Sequence, residues 1–276
     1  MTLNDAVKLL RQSGIESAAE EARMIFELVG GFPRHALIAS NPESDSEELL
    51  SALERRAARE PLQYILGQVG FYKESYRVSP DCLIPRPDTE TLVELAISRI
   101  PDGAFFLDLC TGSGCVAIST LKNTKNTRAE AFDISEAALE IARINARENG
   151  VSDRIIFTNA DVLSKLSPIE RPFAILSNPP YVSLSAYESL EPEISFEPRI
   201  AFVAGEDGSD FYRALVPVCK ELIDPSGFFA FEIGYDQADL SRHLADIHSL
   251  TVEIIKDLSG NDRVAVYRFN SDAKTT

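Results

Sequence analysis

Apolar positions recur every three or four residues through the first 60 residues of the chain, the spacing that lines one face of a helix. "TLNDAVKLLRQSG" places Thr2 and Asp5 at capping-box spacing and stops at Gly14, predicting a first helix. "ESAAEEARMIFELVGG" puts Ala18, Ala22, Ile25 and Val29 on one face and ends in a glycine pair. "SDSEELLSALERRAARE" spaces Leu49, Leu53 and Arg56 at helical intervals before Pro61. Residues 1–60 are thus expected to form a small bundle of three or four helices, either a stabilising appendage or a recognition unit. From Pro61 the period changes. "QYILGQVGFYKESYRVSPDCLIPRP" alternates β-formers with glycine and polar breaks, predicting one or two hairpins that link the parts over 61–84.

Beyond about Arg86, helical and strand patterns alternate. Helices are expected at "DTETLVELAISRI", "VAISTLKNT", "EAALEIARINARENG" and "DFYRALVPVCKELI". Strands are expected at "AFFLDLC", "AEAFDIS", "IIFTNAD", "FAILSN" and "GFFAFEIG". This regime predicts an α/β fold, a doubly wound parallel sheet covered by helices, over 85–276. "LTVEIIKDL" and "DRVAVYRF", separated by "SGN", predict an antiparallel hairpin closing one sheet edge. "SDAKTT" reads as a short polar end.

Composition narrows the function classes. No apolar run approaches the roughly 18 residues of a membrane span, and the N-terminus has no signal-peptide pattern. Cys82, Cys110, Cys115 and Cys219 are scattered with no C-x-x-C pair, so a reduced, cytoplasmic protein without structural zinc is expected. The net charge of −16 is spread along the chain, with 9 basic against 13 acidic residues in 1–84 and 18 against 30 in 85–276. Sequence-independent nucleic-acid binding relies on clustered Lys and Arg. The chain has no such cluster beyond "ERRAAR", which reads as the solvated face of a helix, so direct nucleic-acid binding is disfavoured.

Candidate chemistry sits at strand ends. In "FLDLCTGSGCVAI" an apolar strand ends at Asp108, and Gly112 and Gly114 precede a helix. Glycines allow a tight turn and close approach to a ligand, and the helix N-terminus offers free N–H groups. The loop is not a Walker A sequence and lacks the third glycine of the dinucleotide fingerprint; Gly-x-Gly alone also fits a packing turn. Asp133 ends the next strand, at the separation where an acidic residue grips a ribose diol. Asp161 ends a third, and "NPPY", Asn178 to Tyr181, ends a fourth. A single acidic strand end is usually an N-cap; three in succession beside a glycine turn point to a ligand at the carboxyl edge of the sheet.

Together these motifs resemble S-adenosylmethionine-dependent methyltransferases that modify a nitrogen on a planar system. "LIPRPDTETLVE", preceded by "PLQYILGQVGFY" and followed by "EPRIAFVAGEDGSDFYRALV" and "DLSGNDRVAVYRF", is similar to the N5-glutamine methyltransferases of class-1 peptide release factors. The resemblance runs from about residue 61 to 269. It implies a Rossmann-like class I methyltransferase sheet, S-adenosyl-L-methionine as cofactor, and the glutamine of a Gly-Gly-Gln motif as target. The helical N-terminus is compatible with that family's small substrate-recognition domain, and a monomer is expected. By the same resemblance Asp108, Cys110, Thr111, Gly112, Ser113 and Gly114 surround the methionine part of the cofactor. Asp133 then holds the ribose, Asp161 and Val162 border the adenine, and Asn178 touches both cofactor and substrate. Cys110 replaces a common glycine, Val162 replaces an aromatic found in some members, and "AGEDGS" departs from a more usual double-glycine ending.

The chemistry fits the turn. An amide nitrogen is a poor nucleophile because its lone pair is conjugated. Asn178 Oδ1 and the Pro179 carbonyl are expected to accept its two N–H bonds, favouring loss of conjugation as the new bond forms. Consecutive prolines, Pro179 and Pro180, stiffen that backbone, and Tyr181 packs on the amide plane. His35, His243 and His248 lie outside the motifs. Two other substrate classes remain open at this point: a glutamine in a large-subunit ribosomal protein, and an N6-adenine or N2-guanine in nucleic acid, met after base flipping. Arg86 and Glu90 read either as a salt-bridged helix start or as part of a loop roofing the cofactor.

Overall fold

The computed structural model of the chain describes residues 1–270; the polar end "SDAKTT" lies outside them. The N-terminal bundle contains α1 (Leu3–Gln12), α2 (Ala18–Leu28), α3 (Arg34–Ala39) and α4 (Glu47–Ala57). The capping box of α1 forms as read: Thr2 Oγ1 accepts the Asp5 N–H at 3.2 Å and the Asp5 carboxylate accepts the Thr2 N–H at 3.3 Å. Leu10, Ala22, Ile25, Phe26, Leu49 and Leu53 close the bundle core.

Two local readings are corrected here. Residues after Pro61 first form a short helix, α5 (Leu62–Leu66), whose Leu62 joins the bundle core. One hairpin follows, β1 (Gln68–Phe71) with β2 (Glu74–Arg77). "QYIL" carries β-formers, but Pro61 pre-sets the first turn of a helix and Gly67, at φ +69°, ends it. The hairpin is no free tether. Phe71 and Tyr76 are buried in the core of the larger domain, and the Tyr76 hydroxyl meets Ser119 Oγ at 2.6 Å.

The second correction concerns "ERRAAR". Arg56 is only 6% exposed. Its guanidinium bonds Glu21 at 2.5 Å and reaches across to Glu193 at 3.1 Å, while Arg59 holds the other Glu193 oxygen at 2.7 Å. Although burial opposes it, hydrogen bonds from Arg59, its own backbone and Arg56 hold the Glu193 carboxyl below its ordinary value. Helical periodicity shows which residues share a face, and a charge within a local run gives no sign of a partner far along the chain.

The larger domain alternates α6 (Glu90–Arg99), β3 (Phe105–Leu109), α7 (Cys115–Lys122), β4 (Arg128–Asp133), α8 (Glu136–Glu148), β5 (Ile155–Asn159) and β6 (Ala174–Ser177). Then come α9 (Leu184–Tyr187), α10 (Asp210–Leu222), β7 (Phe228–Glu232), α11 (Ala238–Ile247), β8 (Leu250–Lys256) and β9 (Asp262–Phe269). The seven strands lie in the order β5-β4-β3-β6-β7-β9-β8. The first five are parallel, and β9 runs antiparallel to both β7 and β8, so the expected hairpin forms the sheet edge. Alternation along β3 splits the core: Phe106 faces α6 and α7, while Phe105 and Leu107 face α10 and α11. Helix α11 was not anticipated, because Ala238, Ser241 and Ala245 make up most of its buried face and mark it weakly. No helix of the described residues is long and apolar enough to cross a membrane.

Candidate active site

Strand order reverses between β3 and β6, and open α/β sheets bind ligands in the crevice at such a switch point, beyond the strand carboxyl ends. Here the chain between β3 and α7 makes its turn. Cys110, Gly112 and Gly114 all take positive φ, at 58°, 53° and 82°. The two glycines serve different purposes. A Cβ on Gly112 would meet no atom within 4 Å, and its N–H donates to Asp133 Oδ2 at 2.8 Å. A Cβ on Gly114 would fall 2.8 Å from Ile118 Cδ1 and 3.1 Å from Ala142 Cβ, so this glycine lets α7 and α8 approach.

A cavity of about 230 Å³ opens beside the loop. Cys110, Gly112, Asp133, Asp161, Val162 and Asn178 all line it, so residues from four strand ends meet there. Pro180 also lines it, and Ile134, Leu163, Ile200 and Phe211 add apolar surface. Asp133 Oδ1 accepts the Ser135 N–H at 2.9 Å, and burial raises its carboxyl above the ordinary range. The carboxylate keeps acceptor capacity for a ligand hydroxyl. Asp161 Oδ1 accepts the Leu163 N–H at 2.9 Å and so shapes the next turn. Thr111 and Ser113 line a narrower recess of about 30 Å³ that also touches Asn178.

Asp108 is placed differently. It lies within β3, 1% exposed, and its Oδ2 accepts the Thr111 hydroxyl at 2.5 Å and the Ala117 N–H at 3.2 Å. Burial pushes it up to about 7 against those two bonds. It braces the glycine loop from beneath and lines neither cavity. Gly114 likewise acts in packing and lines neither.

A second, larger cleft of about 600 Å³ lies on the far side of Asn178. Leu62, Arg86, Tyr181, Glu193, Glu197 and Phe202 line it, so the bundle, the segment before α6 and the insertion after β6 all contribute. Arg86 and Glu90 do not pair with each other. Arg86 pairs with Glu197, which also accepts the Ile84 N–H at 3.0 Å, and Glu90 accepts the Tyr72 N–H at 2.8 Å. Asn178 borders both spaces. Its Nδ2 donates to Thr89 Oγ1 at 3.0 Å. Among the described residues neither Asn178 Oδ1 nor the Pro179 carbonyl receives a hydrogen bond. The Tyr181 hydroxyl donates to Glu232 Oε1 at 3.2 Å. Thr89, in a helix start, carried no sequence signal; Glu232 is an acidic end of an apolar strand, the same mark that Asp133 and Asp161 bear, and was missed.

Residues 2–67 match the family model of the PrmC N-terminal domain, and residues 88–191 match that of the Methyltransferase small domain. A release factor glutamine methyltransferase of Caulobacter vibrioides is 34% identical over 93% of this chain and 91% of its own length. The chain belongs to the release factor glutamine methyltransferase family. Another member, from Thermodesulfovibrio yellowstonii, is 39% identical over 83% of this chain and 85% of its own length. The hMettl16 catalytic domain, solved in complex with the MAT2A 3′UTR hairpin 6, superposes with a TM-score of 0.57 over 84% of this chain and 85% of that one. At 14% identity that likeness concerns the fold of the family alone. The "NPPY" turn, the glycine loop and the three acidic positions lie within or beside the matched methyltransferase region.

Proposed function

We propose that the protein transfers a methyl group from S-adenosyl-L-methionine to the side-chain amide nitrogen of the glutamine in the Gly-Gly-Gln motif of class-1 peptide release factors. The observation that carries this reading is the pair of unoccupied acceptors, Asn178 Oδ1 and the Pro179 carbonyl, at the junction of the two spaces. The smaller cavity suits the cofactor: apolar walls for a purine, the Asp133 carboxylate for a ribose diol, and open space over Gly112 where any Cβ would intrude. When bound, the cofactor supplies an electrophilic methyl on a sulfonium. The protein's own work is positioning. Two fixed acceptors hold both N–H bonds of the target amide, turn its lone pair toward the cavity and favour the nitrogen that has left conjugation. Tyr181, half-buried and tied to Glu232, fixes one edge of the amide plane. None of the three histidines lines either space, and the protonated N-alkyl amide that forms is acidic enough to lose its proton to water.

The 600 Å³ cleft has room for a peptide loop, and its glutamates, Glu21, Glu191, Glu193 and Glu197, outnumber Arg56 and Arg86. That balance disfavours a phosphate backbone. On this reading residues 1–60, with α5 packed on them, form the recognition unit, 61–84 the connection and 85 onward the transfer unit. The enzyme then acts as a cytoplasmic monomer. The test is mass spectrometry of release factor and ribosomal proteins incubated with the enzyme and labelled cofactor. Label on the Gly-Gly-Gln glutamine, lost in Asn178→Ala, supports the reading; label on a ribosomal protein or on nucleic acid overturns it.

A further inference from the structure

Among the described residues two guanidinium groups line the 600 Å³ cleft, and they are bonded unequally. Arg56 is spent: it meets Glu21, Glu193 and the Glu60 carbonyl, and is 6% exposed. Arg86 is not. Its Nη2 pairs with Glu197, and its Nε and Nη1 have no acceptor among the described residues. The side chain stays 34% exposed, so those N–H groups remain open to the space that Asn178 borders.

Sequence and fold fix this side chain at both ends. Arg86 lies between Pro85 and Pro87, and a following proline restricts a residue to extended backbone. Its φ and ψ are −102° and 140°, as that restriction requires. At the far end Glu197 is a rigid partner. Its side chain is 1% exposed, and its other oxygen accepts the Ile84 N–H at 3.0 Å. A long, flexible side chain is thus set in place before any ligand arrives, which lowers the ordering cost of a contact made with it.

Charge and position decide which acceptor those N–H groups suit. One carboxylate already balances the guanidinium, and a second, from the amino-acid end of the cofactor, would repel Glu197. Arg86 also lies outside the 230 Å³ cavity, although it touches the narrow recess beside Thr111. A neutral carbonyl meets no such repulsion. On the reading above, Asn178 Oδ1 and the Pro179 carbonyl take both N–H bonds of the target amide. A cation on the oxygen of that same amide would strengthen its C–N conjugation and oppose transfer. The acceptor left is a main-chain carbonyl of the loop, and two glycines in succession leave their peptide groups bare of side chains.

We propose that Arg86, pinned by Glu197, is a substrate-binding residue that grips a main-chain carbonyl beside the target glutamine and so sets the loop in register with Asn178. The proposal rests on the Gly-Gly-Gln reading and supplies the contact that recognises the glycines.

The test measures kcat and KM with a release factor, cofactor affinity by calorimetry, and Tm. It compares wild type, Arg86→Met, Arg86→Lys and the double variant Arg86→Met with Glu197→Gln. Arg86→Met is expected to raise KM by about 10- to 100-fold, the scale of a hydrogen bond to a charged group. Its kcat and cofactor affinity should stay within about threefold of wild type, because the contact is made equally before and during transfer. It also strands Glu197 without its cation, so Tm falls. The double variant removes that stranded charge and keeps an amide oxygen for the Ile84 N–H; Tm should recover while KM stays high. Arg86→Lys keeps a cation but lacks the fork that serves two acceptors, and should fall between wild type and Arg86→Met. A KM for Arg86→Met within about threefold of wild type overturns the proposal. So does recovery of KM together with Tm in the double variant, which marks the pair as structural only. Weakened cofactor affinity with KM unchanged overturns it too, and gives Arg86 to the cofactor carboxylate instead. A wild-type enzyme that leaves the release factor unlabelled overturns the functional reading and this proposal with it.

Discussion

Arg56 offers the sharpest test of how the two parts of the molecule are joined. Arg56→Met keeps most of the apolar stem that packs in α4 and removes only the guanidinium. Two carboxylates are then left facing each other, Glu21 and Glu193, whose side chains are 14% and 17% exposed. Removing one partner of a buried ion pair costs about 3–5 kcal/mol. Arg59 remains on Glu193, and the cleft admits water to both groups, which places the loss at the low end, about 3 kcal/mol. For a chain of this size that corresponds to a Tm fall of roughly 6–12 °C. The sign with pH is fixed. The wild-type Glu193 carboxyl is held below its ordinary value, so its stabilisation is present above that value and fades as pH falls. In Arg56→Met the unpaired carboxylates instead gain by protonation. Denaturant melts of both proteins at about pH 7.5 and about pH 3.5, below the ordinary carboxyl value, should therefore show the gap shrinking toward acid. No residue of the bundle lines the smaller cavity, so cofactor affinity should hold while KM for the release factor rises. A gap below about 1 kcal/mol at the higher pH, the size of an exposed pair, or one that does not change with pH, would refute the reasoning.

Asn178→Ala removes the acceptor and the Thr89 contact together; it should retain cofactor binding by calorimetry and lower kcat by at least about 10²-fold. Gly114→Ala adds a Cβ within 2.8 Å of Ile118 at a φ of +82°; thermal melts should show about 1–3 kcal/mol of destabilisation, whereas Gly112→Ala, with a φ of +53° but open space at that position, should cost less stability and also weaken cofactor affinity. Burial raises Glu232 from 4.5 to about 7. Its contribution is therefore fully present below the unfolded value and is lost as pH rises through about 7. Urea titrations across that window should show a smaller fall for Glu232→Gln than for wild type.

How much of this could be read in advance varies element by element. The strands β3 to β6 were legible because each is an apolar run bounded by a polar or glycine break, and the buried face of α1 because its period is strict. Helix α5 was misread because "QYIL" favours strands as strongly as helices, and packing of Leu62 on the bundle decided the outcome. Helix α11 escaped because alanine and serine fill its buried face. In the site, Asp133, Asp161 and Asn178 stood out as polar residues ending apolar strands, and Asp108 shared that mark although its carboxylate turns beneath the loop. Position at a strand end does not say which way a side chain points.

The sequence by itself determined the alternation of helix and strand, the turn at "NPPY" and the carboxylates at successive strand ends. All of these are local patterns, set by side-chain period, proline and glycine within a few residues. Tertiary structure decided which distant groups meet. Thr89 and Asn178 are 89 positions apart, Tyr181 and Glu232 51, and Arg56 and Glu193 137. No local preference encodes such a pairing. It arises when burial of the two faces of one sheet fixes the strand order, and strand order then brings the ends of β6 and β7 and the start of α6 to a single point.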